Sequence, residues 1–415
     1  MNAPAAANPD PGTTRLPLRD RVADWAFALF VLALPWTIAP MGITAGVLAA
    51  ATVPLWALPP RRGWVRSPMD WAAPLWAIAL LLSAWFAVDR AASLPRVTKA
   101  LFPLLVGLAA LHARDRMRGG RAVALLFVSA MLAATFGLVV FLAQGASFDH
   151  RARGAVGHYM TFAGQLLLFL GPMLGVALYA RTARWRVGAL LAAVPALLAL
   201  AGTFTRSAWL GLLGSLAVLF GAWRPRWLPV VALAATLVVV FSGGAFRARI
   251  FSVFDPHNLW NRERVFMWDA GVRMFHDHPV TGVGLMDLHA IYDQYRSPES
   301  TERAGHLHSV PVMIAATMGW VGIVAFAALT IALFWTALAG LPATLARGGL
   351  AAGVRLGVLA ALVGFAIAGL FEWNLGDEEL LYPLYTLAGL AWAARTWSDE
   401  RAAAAPAPPA RGGRA

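Results

Sequence analysis

Cysteine is absent from the 415 residues, and lysine occurs once, at Lys99. The first absence excludes disulfides, thiolate metal sites and a cysteine nucleophile, and leaves the redox compartment open. The second removes any Gly-x-x-x-x-Gly-Lys phosphate loop, so ATP is not expected as a substrate. Charge is scarce as well: Asp, Glu, Lys and Arg make up 13% of the chain, against 59% hydrophobic residues. About 25% charged is usual for soluble domains, so a soluble fold of this length is not expected. There is no Asp-x-Asp pair and no His-Glu-x-x-His helix, and no metal is expected.

What fills the chain instead is a series of apolar runs, each of about 17 to 25 residues or more and long enough to cross a bilayer as a helix. About twelve are expected, near 22–38, 42–58, 69–87, 94–112, 121–144, 158–180, 186–203, 206–222, 226–243, 309–338, 350–371 and 378–395. They are continuously apolar rather than alternating, which points to an all-α polytopic membrane protein and away from a barrel. The partition expected is a tail at 1–21, nine spans over 22–243, a polar loop at 244–307, three spans over 308–395 and an Ala/Pro/Gly/Arg-rich disordered tail at 396–415. Met1–Leu16 has no apolar core, so no cleavable signal peptide is expected.

The net charge of +13 is a topology signal. With the N-terminus in the cytoplasm and sides alternating, the cytoplasmic segments hold 21 of the 34 basic residues but 7 of the 21 acidic ones. The opposite side holds 13 bases and 14 acids. A bias of that kind in short loops is the positive-inside pattern. Both termini are therefore expected in the cytoplasm and the 244–307 loop outside, with membrane lipids and no nucleic acid as surroundings.

That loop carries the candidate chemistry. Val265, Trp268, Val272 and Phe275 lie at helical spacing after Asn261, a plausible N-cap, and His278-Pro279 stops the run. Leu288, Ile291, Tyr292 and Tyr295 form a second apolar stripe, so two amphipathic helices are expected. The loop closes on His306-Leu307-His308-Ser309, followed nine residues on by Gly319-Trp320-Val321-Gly322. An imidazole is well placed to take a proton near neutral pH, although an interfacial His snorkelling at a helix start is equally compatible with the spacing. His306 has a weaker case, because Leu307 separates it from His308. Arg206, at the outer edge of an apolar run, suits either a headgroup anchor or a phosphate clamp. Arg264 suits either an anion at a helix start or a pair with Glu263 or Asp269. Arg151 and Arg153 are open between headgroup and phosphate. Glu372 and Asp377 are candidates to orient His308 or pair with an Arg, against simple outward solvation.

Thr205-Arg206-Ser207-Ala208-Trp209, Arg264-x-x-x-Trp268 through His278-Pro279-x-x-Gly282-x-Gly284, and His308-Ser309-x9-Gly319-x-x-Gly322 together resemble the O-antigen ligase and polymerase family. The first stretch departs from the family's Thr-x-Ser-Arg-Gly-Ala-Trp by Thr for Ser and Ser for Gly. The resemblance implies a glycosyltransferase C-like fold and transfer of a glycan from an undecaprenyl diphosphate-linked donor. The acceptor would be lipid A-core in a ligase, the lipid-linked repeat in a polymerase, or a protein. It carries a catalytic role onto His308 and diphosphate binding onto Arg206 and Arg264. A solute transporter is the competing class, disfavoured by the lack of ionisable residues within the inner spans.

Overall fold

The computed structural model describes residues 17–397 apart from 60, 253, 254 and 256. The Ala/Pro-rich stretch up to Leu16 and the tail beyond Trp397, with Arg15, Arg401, Arg411 and Arg414, lie outside the described residues. Among the described residues the regular structure is helical throughout, with no strand. In chain order come α1 (Leu18–Ala33), α2 (Ile38–Ala57), α3 (Met69–Trp85) and the short α4 (Arg90–Ser93), which runs through a 3-10 stretch into α5 (Leu104–His112). Then follow α6 (Arg116–Ala143), α7 (Tyr159–Tyr179), α8 (Ala183–Gly202), α9 (Arg206–Trp223) and α10 (Leu228–Phe241). The polar loop contributes α11 (Gly244–Phe251), α12 (Leu259–Asp277) and α13 (His289–Tyr295). The chain closes with α14 (Val310–Leu338), α15 (Leu341–Arg347), α16 (Gly349–Gly369) and α17 (Glu378–Ala393).

Each of the twelve expected runs falls on a helix, and the protein is an all-α polytopic membrane protein. The count differs. Eight helices among the described residues are long and apolar enough to cross a membrane, or nine if α10 and α11, bent by 119° from one another, form one broken span. The shortfall is one of length: α1, α3 and α17 have 16, 17 and 16 residues. At about 1.5 Å per residue they come short of a roughly 30 Å hydrocarbon core.

The interior helices are α7 and α16, buried over most of their length. Glycine brings them together. A Cβ at Gly171 or Gly175 would run into the Gly357 and Gly353 carbonyls of α16, so these two Gly-x-x-x-Gly faces let backbone meet backbone. Gly211 of α9 meets Gly364 of α16 in the same way.

The other glycine motif works differently. Inside α14, Gly319 has φ 60° and ψ −155°, which breaks the helix. Pro279–Gly284 lies along the break: the Trp320 and Val321 amides donate to the Pro279 and Val280 carbonyls at 2.8 and 3.1 Å, and the Val283 and Gly284 amides donate to Ala316 and Thr317 at 2.9 and 3.0 Å. Ser83 Oγ donates to the Thr317 carbonyl at 2.7 Å. The carbonyls and amides freed by the break are thus satisfied by the loop. A Cβ on Gly319 would sit 2.5 Å from the Pro279 and Val280 oxygens, and one on Gly322 would strike Met318 of its own helix. Close approach at Gly319 thus occurs at a helix break rather than along a continuous helix face.

The polar loop has the two expected helices and one more, α11. The α12 helix begins earlier than its pattern indicates: Asn258 takes the cap position and Asn261 lies inside the first turn.

Candidate functional site

The connections that alternate with the charged, opposite end of the bundle converge on one face. Val88 N donates to Val283 O at 3.0 Å, Ala152 N to Gly202 O at 2.9 Å, and Lys99 Nζ to the Leu375 and Gly376 carbonyls at 3.3 and 2.5 Å. Lys99 thereby ties down the turn between α16 and α17, where Glu372 sits.

His308 occupies the last turn of chain before α14, with φ 46°. A left-handed non-glycine residue is uncommon and is held by its surroundings. Here Leu307 is fully buried in a cluster with Met267, Ala270 and Met274 of α12, so the chain is pinned on that side. The imidazoles of His306 and His308 turn to the same side, their centroids 4.3 Å apart. His308 Nδ1 lies 2.8 Å from Glu372 Oε1, and His306 Nε2 lies 3.6 Å from the same oxygen. Separation by Leu307 therefore does not split the pair.

Glu372 is the hub. Its other oxygen stands 3.5 Å from Arg264 NH2, while Arg264 NH1 donates to the Phe371 carbonyl at 2.6 Å. The side chain is buried. Burial alone would favour the neutral acid. Hydrogen bonds from His306 and His308, the His308 charge when it is protonated, and the Arg264 charge outweigh that and hold the carboxyl well below its usual range. A carboxylate only accepts. The Nδ1 of His308 must then carry the hydrogen it gives to Glu372, so in the neutral imidazole it is Nε2 that holds the lone pair.

Arg206 opens α9, after a turn in which Phe204 is also left-handed, at φ 51°. Its guanidinium donates to Ser252 Oγ at 2.9 Å and to Asn261 Oδ1 at 2.8 Å. Asn261 in turn donates to the Ser252 and Asp255 carbonyls at 2.8 and 3.0 Å. Every one of these partners is neutral. Arg151 lies over the rings of Phe148 and Tyr159, 3.7 and 4.3 Å from the centroids. Arg249 of α11 shares Phe148 at 5.0 Å and donates to the Phe204 carbonyl at 3.4 Å. Burial first, then the charges of Arg206 and Arg151, with Tyr159 opposing and Arg264 adding, lower the Arg249 pKa to about 10. Three of these four arginines have no ion-pair partner among the described residues, and the fourth shares one carboxylate. Such a cluster suits an oxyanion.

Of the residues singled out from the sequence, His306, His308 and Arg264 all meet Glu372. Arg206 and Arg151 sit in the adjoining cluster. Asp377 accepts from Thr161 Oγ1 of α7 at 2.6 Å and makes no contact with His308. Arg153 is exposed, with no side-chain hydrogen bond or ion pair among the described residues. Arg264 does not pair with either acid expected for it: Glu263 is buried against Ser300 and Thr301, and Asp269 binds Arg273. Two residues were not foreseen. Arg249 lacks any motif around it. His158 stands beside Asp377 and Glu372, where burial lowers its pKa and those carboxylates oppose the shift. It directly precedes a long apolar run, as His308 nearly does, and that shared signature could have found it.

His306, His308 and Glu372 also offer three ligand atoms within 4.8 Å of one another. Two imidazoles and a carboxylate form a zinc-type donor set, which the sequence reading did not anticipate. Against occupation, Glu372 Oε1 already accepts from His308 and from the Trp373 amide at 3.2 Å, and Arg264 brings positive charge to the same carboxylate.

Residues 191–327 match the family model described as O-Antigen ligase, a stretch that includes Arg206, Arg264, His308, Gly319 and Gly322. The match supports the resemblance to the O-antigen ligase family and with it a ligase- or polymerase-type function. Arg151, Glu372 and Asp377 lie outside the matched stretch. No curated protein matches the chain.

Proposed function

We propose that this O-antigen ligase-type chain transfers a glycan from an undecaprenyl diphosphate-linked donor to a lipid A-core acceptor, on the periplasmic face of a bacterial inner membrane. The observation that carries the reading is the contact of His308 Nδ1 with Glu372 at 2.8 Å, which leaves Nε2 free as a base. The second support is the arginine cluster beside it, whose guanidinium groups face neutral partners. The acceptor hydroxyl attacks the anomeric carbon with inversion. A bond forms from the acceptor oxygen to that carbon, and the bond from carbon to diphosphate oxygen breaks. The proton passes to His308 Nε2 and the electron pair leaves with the diphosphate. Arg206 and Arg264 hold the diphosphate, with Arg151 and Arg249 adding positive charge. A unit charge pair at about 4 Å is worth roughly 4 kcal/mol at an effective dielectric of 20, so two arginine contacts on the leaving group stabilise its charge substantially without a metal. Glu372 fixes the imidazole tautomer and takes up part of its charge after proton transfer. The loop that carries Arg264 covers the site as a lid, and both termini face the cytoplasm.

The test is incubation of membranes with lipid-linked glycan and lipid A-core, in excess chelator. Lipopolysaccharide is expected from the unaltered protein and from none of His308→Ala, Arg206→Ala or Arg264→Ala. Longer lipid-linked glycan in place of lipopolysaccharide would make the protein a polymerase. Activity lost in chelator and restored only by a divalent ion would overturn the metal-free scheme in favour of an ion at His306, His308 and Glu372.

A further inference from the structure

A chamber of about 580 Å³ opens at the end of the bundle away from His308. The direction follows from two helices: α14 and α17 begin beside the His308 site, and the turn after α14 with the start of α15, and the end of α17 with the residues after it, wall the chamber. Five arginines line it, Arg66, Arg114, Arg347, Arg355 and Arg395, and no carboxylate does among the described residues.

Basic residues at this end of a membrane bundle are expected from topology alone, and a neighbouring group shows what topology alone produces. Arg62 is paired with Asp20, and Arg118 with Asp24 and Asp115 at 3.2 and 3.3 Å. Among the described residues none of the five chamber arginines has an ion pair. Arg347 reaches only Thr344 Oγ1, at 3.4 Å, and Arg395 lies over the Trp392 ring, 3.8 Å from its centroid.

Arg355 is the second and independent observation. It is 1% exposed, and its terminal nitrogens donate to the carbonyls of Ala337, Ala339 and Gly340 and to Thr344 Oγ1. Those acceptors are the negative end of α14 and its turn, which offsets a fraction of a charge. Its Nε is buried without a partner. A full guanidinium is therefore held in the chamber wall with an unused donor and no counter-charge, beside four exposed guanidinium groups that repel it and one another.

We propose that this chamber is a second anion site that binds a phosphate group, separate from the site at His308. Guanidinium forks match phosphate oxygens in charge and geometry, and several can share one phosphate. The phosphate belongs either to an anionic phospholipid headgroup entering from the surrounding bilayer or to a free phosphate compound.

The experiment uses the full chain in phosphatidylcholine nanodiscs, in an R206Q/R264Q background that weakens anion binding at the His308 end. Binding is read as a saturable thermal shift at constant ionic strength. One arm adds inorganic diphosphate and the other adds dihexanoyl phosphatidylglycerol. A saturable response to diphosphate identifies free phosphate as the ligand, and a response to phosphatidylglycerol alone identifies the headgroup. In either case R347Q/R395Q, both exposed positions, is expected to weaken binding by about tenfold or more while leaving the ligand-free transition in place. No saturable response in either arm, or an undiminished response in R347Q/R395Q, overturns the site. The outcome is independent of glycan transfer.

Discussion

Arginine crowds both ends of this bundle, and the ends differ in what stands beside it. At the His308 end, Arg264 shares a buried carboxylate with two imidazoles, and Arg151, Arg206 and Arg249 cluster nearby. At the far end some arginines are paired with aspartates, and others line a chamber with neither carboxylate nor imidazole among its described lining residues. Positive charge is common to both. In the proposed scheme the His308 end combines anion binding with proton transfer, because its imidazole is held by a carboxylate; the far end's buried imidazole, His112, meets the Thr52 hydroxyl instead.

The sharpest way to break the contrast is to remove the base. His308→Ala is expected to lower glycan transfer by about 10²- to 10⁴-fold, the range of a general base, with normal membrane insertion, read by gel analysis of lipopolysaccharide. Wild-type transfer from that variant would reduce the His308 end to one more arginine cluster. Next in size is the helix break. Gly319→Ala places a Cβ 2.5 Å from two carbonyl oxygens at φ 60°, and it should destabilise the protein by more than about 1 kcal/mol, seen as a lower unfolding temperature in detergent. The effect belongs to the His308 end, because the break holds the loop that carries Arg264.

A smaller and pH-dependent effect concerns Glu372. Its carboxyl is held below the usual range when folded, so the stabilisation it supplies is fully present above the unfolded-state value of about 4.3. It is lost as pH falls towards the depressed folded value. The difference in unfolding temperature between the wild type and Glu372→Gln should therefore be largest near neutral pH and shrink in acid; a gap that widens in acid would contradict the assignment. Least of all should Arg62→Gln matter to transfer, which is expected unchanged in the same lipopolysaccharide assay. Its partner Asp20 is at the far end and buried, the two side chains being 14% and 7% exposed, so the change acts on stability instead: it leaves a buried carboxylate and should lower the unfolding temperature.

Much of the site was legible because its residues fall at boundaries in hydropathy. Arg206 and His308 each mark the start of an apolar run, and Arg264 the start of an amphipathic one. Glu372 was legible as a candidate with two possible roles, orienting His308 or pairing with an Arg, and its carboxylate lies against both His308 and Arg264. Arg249 was not legible: nothing local distinguishes it from Arg247 two residues earlier, and it matters only because α11 bends by 119° back toward Phe204. Twelve spans by hydropathy become eight or nine by helix length among the described residues for a related reason. A hydropathy run includes the apolar residues of a turn, whereas α1, α3 and α17 stop where the backbone does.

The amino-acid order by itself determined that the chain is helical and membrane-spanning and how charge divides between its ends, because hydropathy and net charge act through local composition. It also supplied the motifs that carry the family resemblance. The tertiary structure alone decided that His306 and His308 share Glu372 with Arg264, that Gly319 serves a helix break, and that five arginines line one chamber with no acid beside them among the described residues. Those are contacts between residues tens to hundreds of positions apart, set by glycine-mediated packing of α7, α9 and α16 and by the loop bound along α14, and no local pattern encodes them.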